Sequence, residues 1–188
     1  MRYYTFLKSP LKKLLLVSDG QALTGLYFEP HRYGEEIQPT WRTDSSATPL
    51  PEASEQLAAY FSGELREFNL PLALHGSEFQ KLVWEALRGI PYGETISYRE
   101  LAQRIGRPAS IRAVGQANAH NPISIIVPCH RVIGANGSLV GYGGGLEVKA
   151  ALLGFERSGN KSHIDCLGEK PLCLDAQPLQ RYTPNQKP

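Results

Sequence analysis

A chain of 188 residues with 41% apolar and 20% charged side chains has the composition of an ordinary globular protein, one domain or two small ones. At this length about 70% of the unfolded surface can be buried, so no disulfide framework or metal is required, and no apolar run approaches the roughly 20 residues of a membrane span. The formal charge of +2 does not by itself mark a nucleic-acid binder, and the odd cysteine count (Cys129, Cys166, Cys173) fits a reducing compartment and a cytoplasmic protein.

The start interrupts its apolar stretch with Lys8, Lys12 and Lys13, and three short segments of strand character follow one another, Tyr3 to Leu7, Lys13 to Ser18 and Leu23 to Phe28. They are separated by Ser9-Pro10 and Asp19-Gly20, so a small antiparallel sheet is expected. From Glu29 to Pro51 the chain is polar, proline-bearing and without period. A helix is then expected, with Leu57, Ala58, Tyr60 and Phe61 on its apolar stripe, and Leu65 to Gly76 reads as the link to the second half.

Ser77-Glu78-Phe79-Gln80 is a capping-box pattern that opens a helix with Phe79, Leu82, Val83, Ala86 and Leu87 on its buried face. After Gly89 and Pro91, a second box, Ser97-Tyr98-Arg99-Glu100, starts a helix of about ten residues. Ser110 is the next cap, before the short helix IRAVGQANA, and the two short helices around Gly106 read as helix-turn-helix. Between Tyr98 and Arg131 five arginines (Arg99, Arg104, Arg107, Arg112 and Arg131) face the single acid Glu100, a candidate phosphate-facing surface.

Asn121-Pro122 ends that helix, and ISIIVP reads as a buried strand running into Cys129-His130-Arg131. Val132-Ile133 and Leu139-Val140 around Asn136-Gly137 read as a hairpin with a type I′ turn, followed by the glycine-rich loop around Tyr142 and a last helix from Leu146 to Phe155. Beyond Ser158 a loosely packed or disordered tail is expected.

A thiol beside an imidazole can be activated as a thiolate, and Glu156 is the candidate carboxylate to orient that imidazole. On an extended strand Cys129 and His130 would point to opposite faces, so a turn or a bridging water is required. Taken alone, the Cys-His dipeptide is better read as a buried small residue beside a hydrogen-bonded core histidine.

The run NPISIIVPCHRVIGANGSLVGYGGG resembles the active-site signature of the O6-alkylguanine-DNA alkyltransferases, or methylated-DNA-protein-cysteine methyltransferases. YGETISYRELA, the RAVG segment and KAALLGFE extend the likeness over roughly Ser77 to Glu156. The resemblance implies an α/β (α+β) protein: an N-terminal ribonuclease H-like sheet-plus-helix domain with linker (1–76), then a mainly helical, winged-helix-like domain with a helix-turn-helix (77–157), and a tail (158–188). It implies DNA repair by direct reversal, in which Cys129 takes the alkyl group from O6 of guanine, and by extension O4 of thymine, irreversibly and without a cofactor. His130 would deprotonate Cys129 through a water, with Glu156 behind it. Tyr98 would press on the target phosphate and protonate guanine N3, and Asn121 would tie the helix-turn-helix to the active-site strand. Arg112 would fill the gap left by the flipped nucleotide. Ser110, Ile111 and Arg131 would join it at the DNA, and Tyr142, Gly143 and Val132 would line the alkylguanine pocket.

The implied partner is double-stranded DNA, bound through its minor groove with little sequence preference by a monomer in the cytoplasm, or in the nucleus of a eukaryote. No metal is expected, because no cysteine precedes Cys129 and the N-terminal half offers only His31 and His75 as imidazole ligands. The nearest rival is an alkyltransferase-like protein that binds damage without transfer, against which the acceptor cysteine itself argues. A Cys-His hydrolase lacks any signal for an oxyanion hole, and a zinc nucleobase deaminase needs a second cysteine where Val132 stands. A transcriptional regulator would leave Cys129 and the glycine loop without a purpose.

Overall fold

A computed structural model describes residues 1–31, 33–159 and 162–165. The three expected strands form at β1 (Tyr3–Leu7), β2 (Leu14–Ser18) and β3 (Leu23–Phe28), joined as an antiparallel meander. A fourth, β4 (Arg42–Thr43), pairs parallel to β1 from within the segment that showed no period, giving the order β3-β2-β1-β4. Every residue of β2 and β3 is buried, which explains why these strands read as apolar runs and not as alternation. One face carries Leu14, Leu16, Leu26 and Phe28 into the main core, and the other is covered by Tyr4 and Trp41 over Leu15, Val17 and Tyr27.

Helix α1 (Leu50–Ser62) buries Leu50, Ala53, Leu57, Tyr60 and Phe61, while Ala58, expected on its stripe, faces solvent. Both capping boxes close as expected, Ser77 and Gln80 at α2 (Glu78–Arg88), Ser97 and Glu100 at α3 (Tyr98–Arg104). On α2 the buried large side chain is Trp84, whose Nε1 donates to the Ala117 carbonyl at 2.8 Å, and Leu82 is 43% exposed. A bulky indole with a satisfied N–H fills the helix crossing better than a leucine one position off the stripe. Helix α4 (Ile111–Ala119) packs on α2 and α3, but Ser110 makes no side-chain cap.

Two further expectations are corrected. ISIIVP is a chain of tight turns, not a strand. Its start is held on the free edge of β3, where Leu26 N–H donates to Pro122 O and Ser124 N–H to Leu26 O, both at 2.9 Å. Ile125 then takes φ 70°, with Ile126 N–H donating to Ser124 O, the γ-turn of positive φ that a β-branched residue rarely adopts. Pro128 makes a second γ-turn, and Cys129–Arg131 close as a 3-10 turn.

The hairpin after Cys129 is likewise absent: β6 (Val132–Ile133) pairs parallel to β5 (Ile96–Ser97), and Leu139 and Val140 form no strand. Gly134 to Ser138 make a three-residue loop with positive φ at Gly137 but not at Asn136, which excludes a type I′ turn. Helix α5 (Leu146–Ser158) is followed by a short helix, α6 (Ser162–Asp165), whose Ile164 is buried, and residues 166–188, most of the expected tail, lie outside the described residues. Gly154 makes room for His163, whose Nδ1 lies 2.8 Å from where a Cβ would stand. Cys166 and Cys173 lie outside the described residues.

Candidate active site

The 3-10 turn sets the site. It rotates successive side chains by about a third of a circle, so Cys129, His130 and Arg131 reach three different surroundings instead of two faces. Cys129 is buried, and its Sγ accepts a hydrogen bond from Asn121 Nδ2 at 3.0 Å. The same amide nitrogen donates to the carbonyls of Val127 (2.7 Å) and Ile123 (3.3 Å), so Asn121 ties the turns before the cysteine into one unit. Asn118 Nδ2, on α4, donates to the Cys129 carbonyl at 3.3 Å. Burial pushes the thiol pKa up, while Asn121 and the Lys149 ammonium pull it back down.

His130 is completely buried and its Nε2 lies 2.8 Å from Glu156 Oε1. Burial lowers its pKa, although Glu156 opposes this, so the ring is neutral near pH 7. A neutral ring that donates from Nε2 carries its lone pair on Nδ1, and Nδ1 is buried without a partner among the described residues. That nitrogen is free to accept a proton.

Glu156, near the end of α5, collects the donors of the site. Its Oε1 accepts from His130, from Arg131 Nη2 (2.9 Å) and from the Tyr60 hydroxyl (2.8 Å), and its Oε2 from Arg131 Nε (2.8 Å) and the Gly93 N–H (3.2 Å). Burial alone would raise its pKa, but His130 and Arg131 outweigh it and hold the carboxylate well below its usual range. Arg131 was expected at the DNA. Instead it is 6% exposed, fixed by Glu156 and by the Ile90 carbonyl at 2.6 Å, because a buried carboxylate needs a cation more than the surface does.

Sequence reasoning missed Lys149. Its side chain is fully buried, with Nζ donating to the carbonyls of Val132 (2.7 Å) and Val140 (3.0 Å), and burial lowers its pKa to about 8. The available signal was the spacing of Lys149, Leu152, Leu153 and Glu156, which share one face of a helix. Tyr98, at the start of α3, donates from its hydroxyl to Val140 O at 3.1 Å, and burial and the nearby Cys129 push its pKa up to about 12.

Beside Cys129 opens a pocket of about 320 Å³, counting the space at its mouth, lined by Asn121, Ser124, Gly143 and Gly144 and, from the N-terminal sheet, by Phe28, His31 and Tyr33. Gly143 has nothing within 4 Å of where a Cβ would stand, whereas Gly144 lies against Phe28 and its carbonyl accepts from Lys12 Nζ at 2.9 Å. Tyr142 packs toward Phe28, ring centroids 6.3 Å apart, with its hydroxyl buried beside Ser124. Val132, expected in the pocket, is wholly buried in β6 and contributes its carbonyl to Lys149. Arg112 and Ile111 are exposed at the start of α4 with the half-buried Ser110 before them, and Arg99, Arg104 and Arg107 are exposed on α3 and the turn between the helices. The structure thus gathers Cys129, His130, Glu156, Asn121 and Gly143 in one place and leaves Arg112, Ser110 and Ile111 outside it.

Comparison with known proteins agrees with this arrangement along nearly the whole described chain. Residues 2–74 match the ribonuclease-like domain of 6-O-methylguanine DNA methyltransferase, and residues 78–158 match its DNA binding domain. A methylated-DNA--protein-cysteine methyltransferase of Mycobacterium bovis is 52% identical over 158 residues, 84% of this chain and 94% of its own. One from Methanosarcina acetivorans is 50% identical over 156 residues, 83% of this chain and 99% of its own. The crystal structure of Mycobacterium tuberculosis OGT in complex with DNA superposes with a TM-score of 0.79 at 48% identity, covering 86% of this chain and 98% of that one. An O6-methylguanine-DNA methyltransferase from Pyrococcus kodakaraensis gives 0.60 at 25% identity, over 83% and 99%. With both halves matched in order and half of all aligned residues identical, the chain belongs to the 6-O-methylguanine DNA methyltransferase family.

Proposed function

We propose that the protein removes alkyl groups from O6 of guanine in double-stranded DNA by transferring them, once per molecule, to Cys129. What carries this reading is a thiol at the edge of an open pocket, next in the chain to an imidazole whose Nε2 is tied to a carboxylate and whose Nδ1 has no partner among the described residues. In the resting protein Cys129 is a thiol, since burial disfavours its charge. Neutral His130 draws its proton through one water onto Nδ1, and Glu156 stabilises the imidazolium that results.

The thiolate then attacks the alkyl carbon. The S–C bond forms as the C–O6 bond breaks, and the electron pair passes into the guanine ring. Tyr98 supplies a proton at N3, so that neutral guanine leaves, and the proton held on His130 balances the one that Tyr98 gives. The S-alkyl cysteine is a thioether with no leaving group at neutral pH, so each molecule acts once. No cofactor takes part.

A base in the duplex cannot present its O6 substituent to a buried thiol, so the nucleotide is extruded. Arg112 takes the vacated place, and Ser110, Ile111 and the exposed arginines of α3 and α4 bind the minor groove with little sequence preference. The units are 1–76 and 77–157, acting as a monomer in the cytoplasm, or in the nucleus of a eukaryote. Mass spectrometry after incubation with a duplex containing O6-methylguanine tests the reading. One methyl per molecule, on Cys129 and absent from Cys129→Ser, is expected; binding of the lesion without transfer would make this a damage sensor.

A further inference from the structure

One donor to Glu156 comes from neither the 3-10 turn nor the helix-turn-helix half: Tyr60, on α1. Its ring is completely buried among Phe61, Phe68, Tyr92 and Phe155, with centroids 5.2 to 6.1 Å away. Phenylalanine would fill this aromatic site equally well, and burying a hydroxyl is unfavourable unless it is bonded. The hydroxyl has its partner, Glu156 Oε1, at 2.8 Å, the same oxygen that holds His130 Nε2.

We propose that Tyr60 is a positioning residue for alkyl transfer, through which the N-terminal domain fixes the orientation and the basicity of the Glu156–His130 pair. The proposal rests on the reading of His130 as the base. Burial keeps the phenol protonated at any working pH, so Tyr60 is a permanent donor. Its hydrogen bond withdraws charge from Glu156 Oε1, and without it the carboxylate attracts the imidazole proton more strongly. His130 would then hold a proton to higher pH and be less available as a base. The other charged or titratable groups around the Glu156–His130 pair are Arg131 in the turn, Lys149 on α5, Tyr92 before α3 and Tyr142 in the glycine-rich loop. None of these changes in a Tyr60→Phe variant, so the effect of the hydroxyl can be isolated.

The test uses the full chain as Tyr60→Phe, His130→Gln and the double variant, following the rate constant of methyl transfer from an O6-methylguanine duplex between pH 5 and 9. Tyr60→Phe is expected to be about tenfold slower near neutral pH, with the midpoint of its acid limb moved upward, and to add nothing in the His130→Gln background. A rate within twofold of wild type and an unmoved midpoint would overturn the proposal. So would losses that multiply in full in the double variant, since they would make Tyr60 a packing residue. A His130→Gln protein that transfers at the wild-type rate would instead refute the reading of His130 as the base. Tyr60→Leu, assayed in the same way, also lacks the hydroxyl and is expected to show the same dependence on His130, which gives the test a second variant.

Discussion

The turn at Cys129–Arg131 and the helix pair α3–α4 adjoin each other and are built by opposite rules. Around the turn, two cations, an imidazole and a carboxylate from the turn and α5 are withdrawn from water and satisfied almost entirely by one another and by backbone carbonyls. On the helices, Arg99, Arg104, Arg107 and Arg112 stand exposed. Charges of the first kind are fixed in geometry, and those of Glu156 and Lys149 are shifted in pKa as well, which suits bond-making. Those of the second kind stay mobile and screened by salt, which suits a polyanion of any sequence. Chemistry and DNA affinity should therefore come apart under mutation.

The largest separation is expected for Cys129→Ser, which should lose all methyl transfer by mass spectrometry while its affinity for a lesion duplex, followed by fluorescence anisotropy, stays within about twofold of wild type. Glu156→Gln should come next, slowing transfer by about a hundredfold. It also leaves Arg131 buried without its anion, at a cost of about 3–5 kcal/mol in urea unfolding. The pH dependence has a definite sign. Glu156 is held below its unfolded value of about 4.3, so its contribution is complete above that pH and is lost as pH falls toward the folded value. The variant should lack that part of the acid-side loss.

Arg112→Ala should act in the opposite sense. Transfer from duplex DNA is expected to fall about tenfold and the salt slope of binding by about one, while transfer from the free O6-alkylated base stays unchanged. Loss of both activities together would join the two regions that the structure keeps apart.

Where local chemistry decided the outcome, the sequence was legible. The boxes at Ser77 and Ser97 satisfy helix N–H groups with neighbours three residues away, and they placed α2 and α3 from the sequence alone. ISIIVP failed because its apolar, β-branched residues are buried as a strand would bury them, yet their backbone is organised by Asn121 and by the edge of β3, which lies about a hundred residues earlier. The positive φ of Ile125 has no local signature at all. Arg131 was misplaced for a related reason. Charge is a good guide to the surface only until a partner such as Glu156 makes burial tolerable. Trp41 was passed over because it stands in the segment without period, and the cluster it covers, Leu15, Val17 and Tyr27, lies on β2 and β3.

Lys149 gives the smallest expected effect and the sharpest test of how the buried charges cooperate. Its ammonium is held by two carbonyls, with no carboxylate among its bonded partners, and burial brings its pKa down to about 8, against an unfolded value of about 10.4. The folded protein therefore releases this proton more readily than the unfolded chain. The group opposes folding most below about pH 8, and the penalty fades as pH rises toward 10. Lys149→Met keeps the length and apolar bulk of the side chain and removes the charge, so that alkaline gain in stability should disappear. The same charge lowers the Cys129 thiol, so its loss should make the thiolate harder to form. Alkylation of Cys129 by iodoacetamide and methyl transfer from the lesion should both slow by about three- to tenfold at pH 7.5, with the thiol titration displaced upward and DNA affinity unchanged. Equal slowing at every pH, without that displacement, would mean that Lys149 serves only to hold the carbonyls of Val132 and Val140 in place.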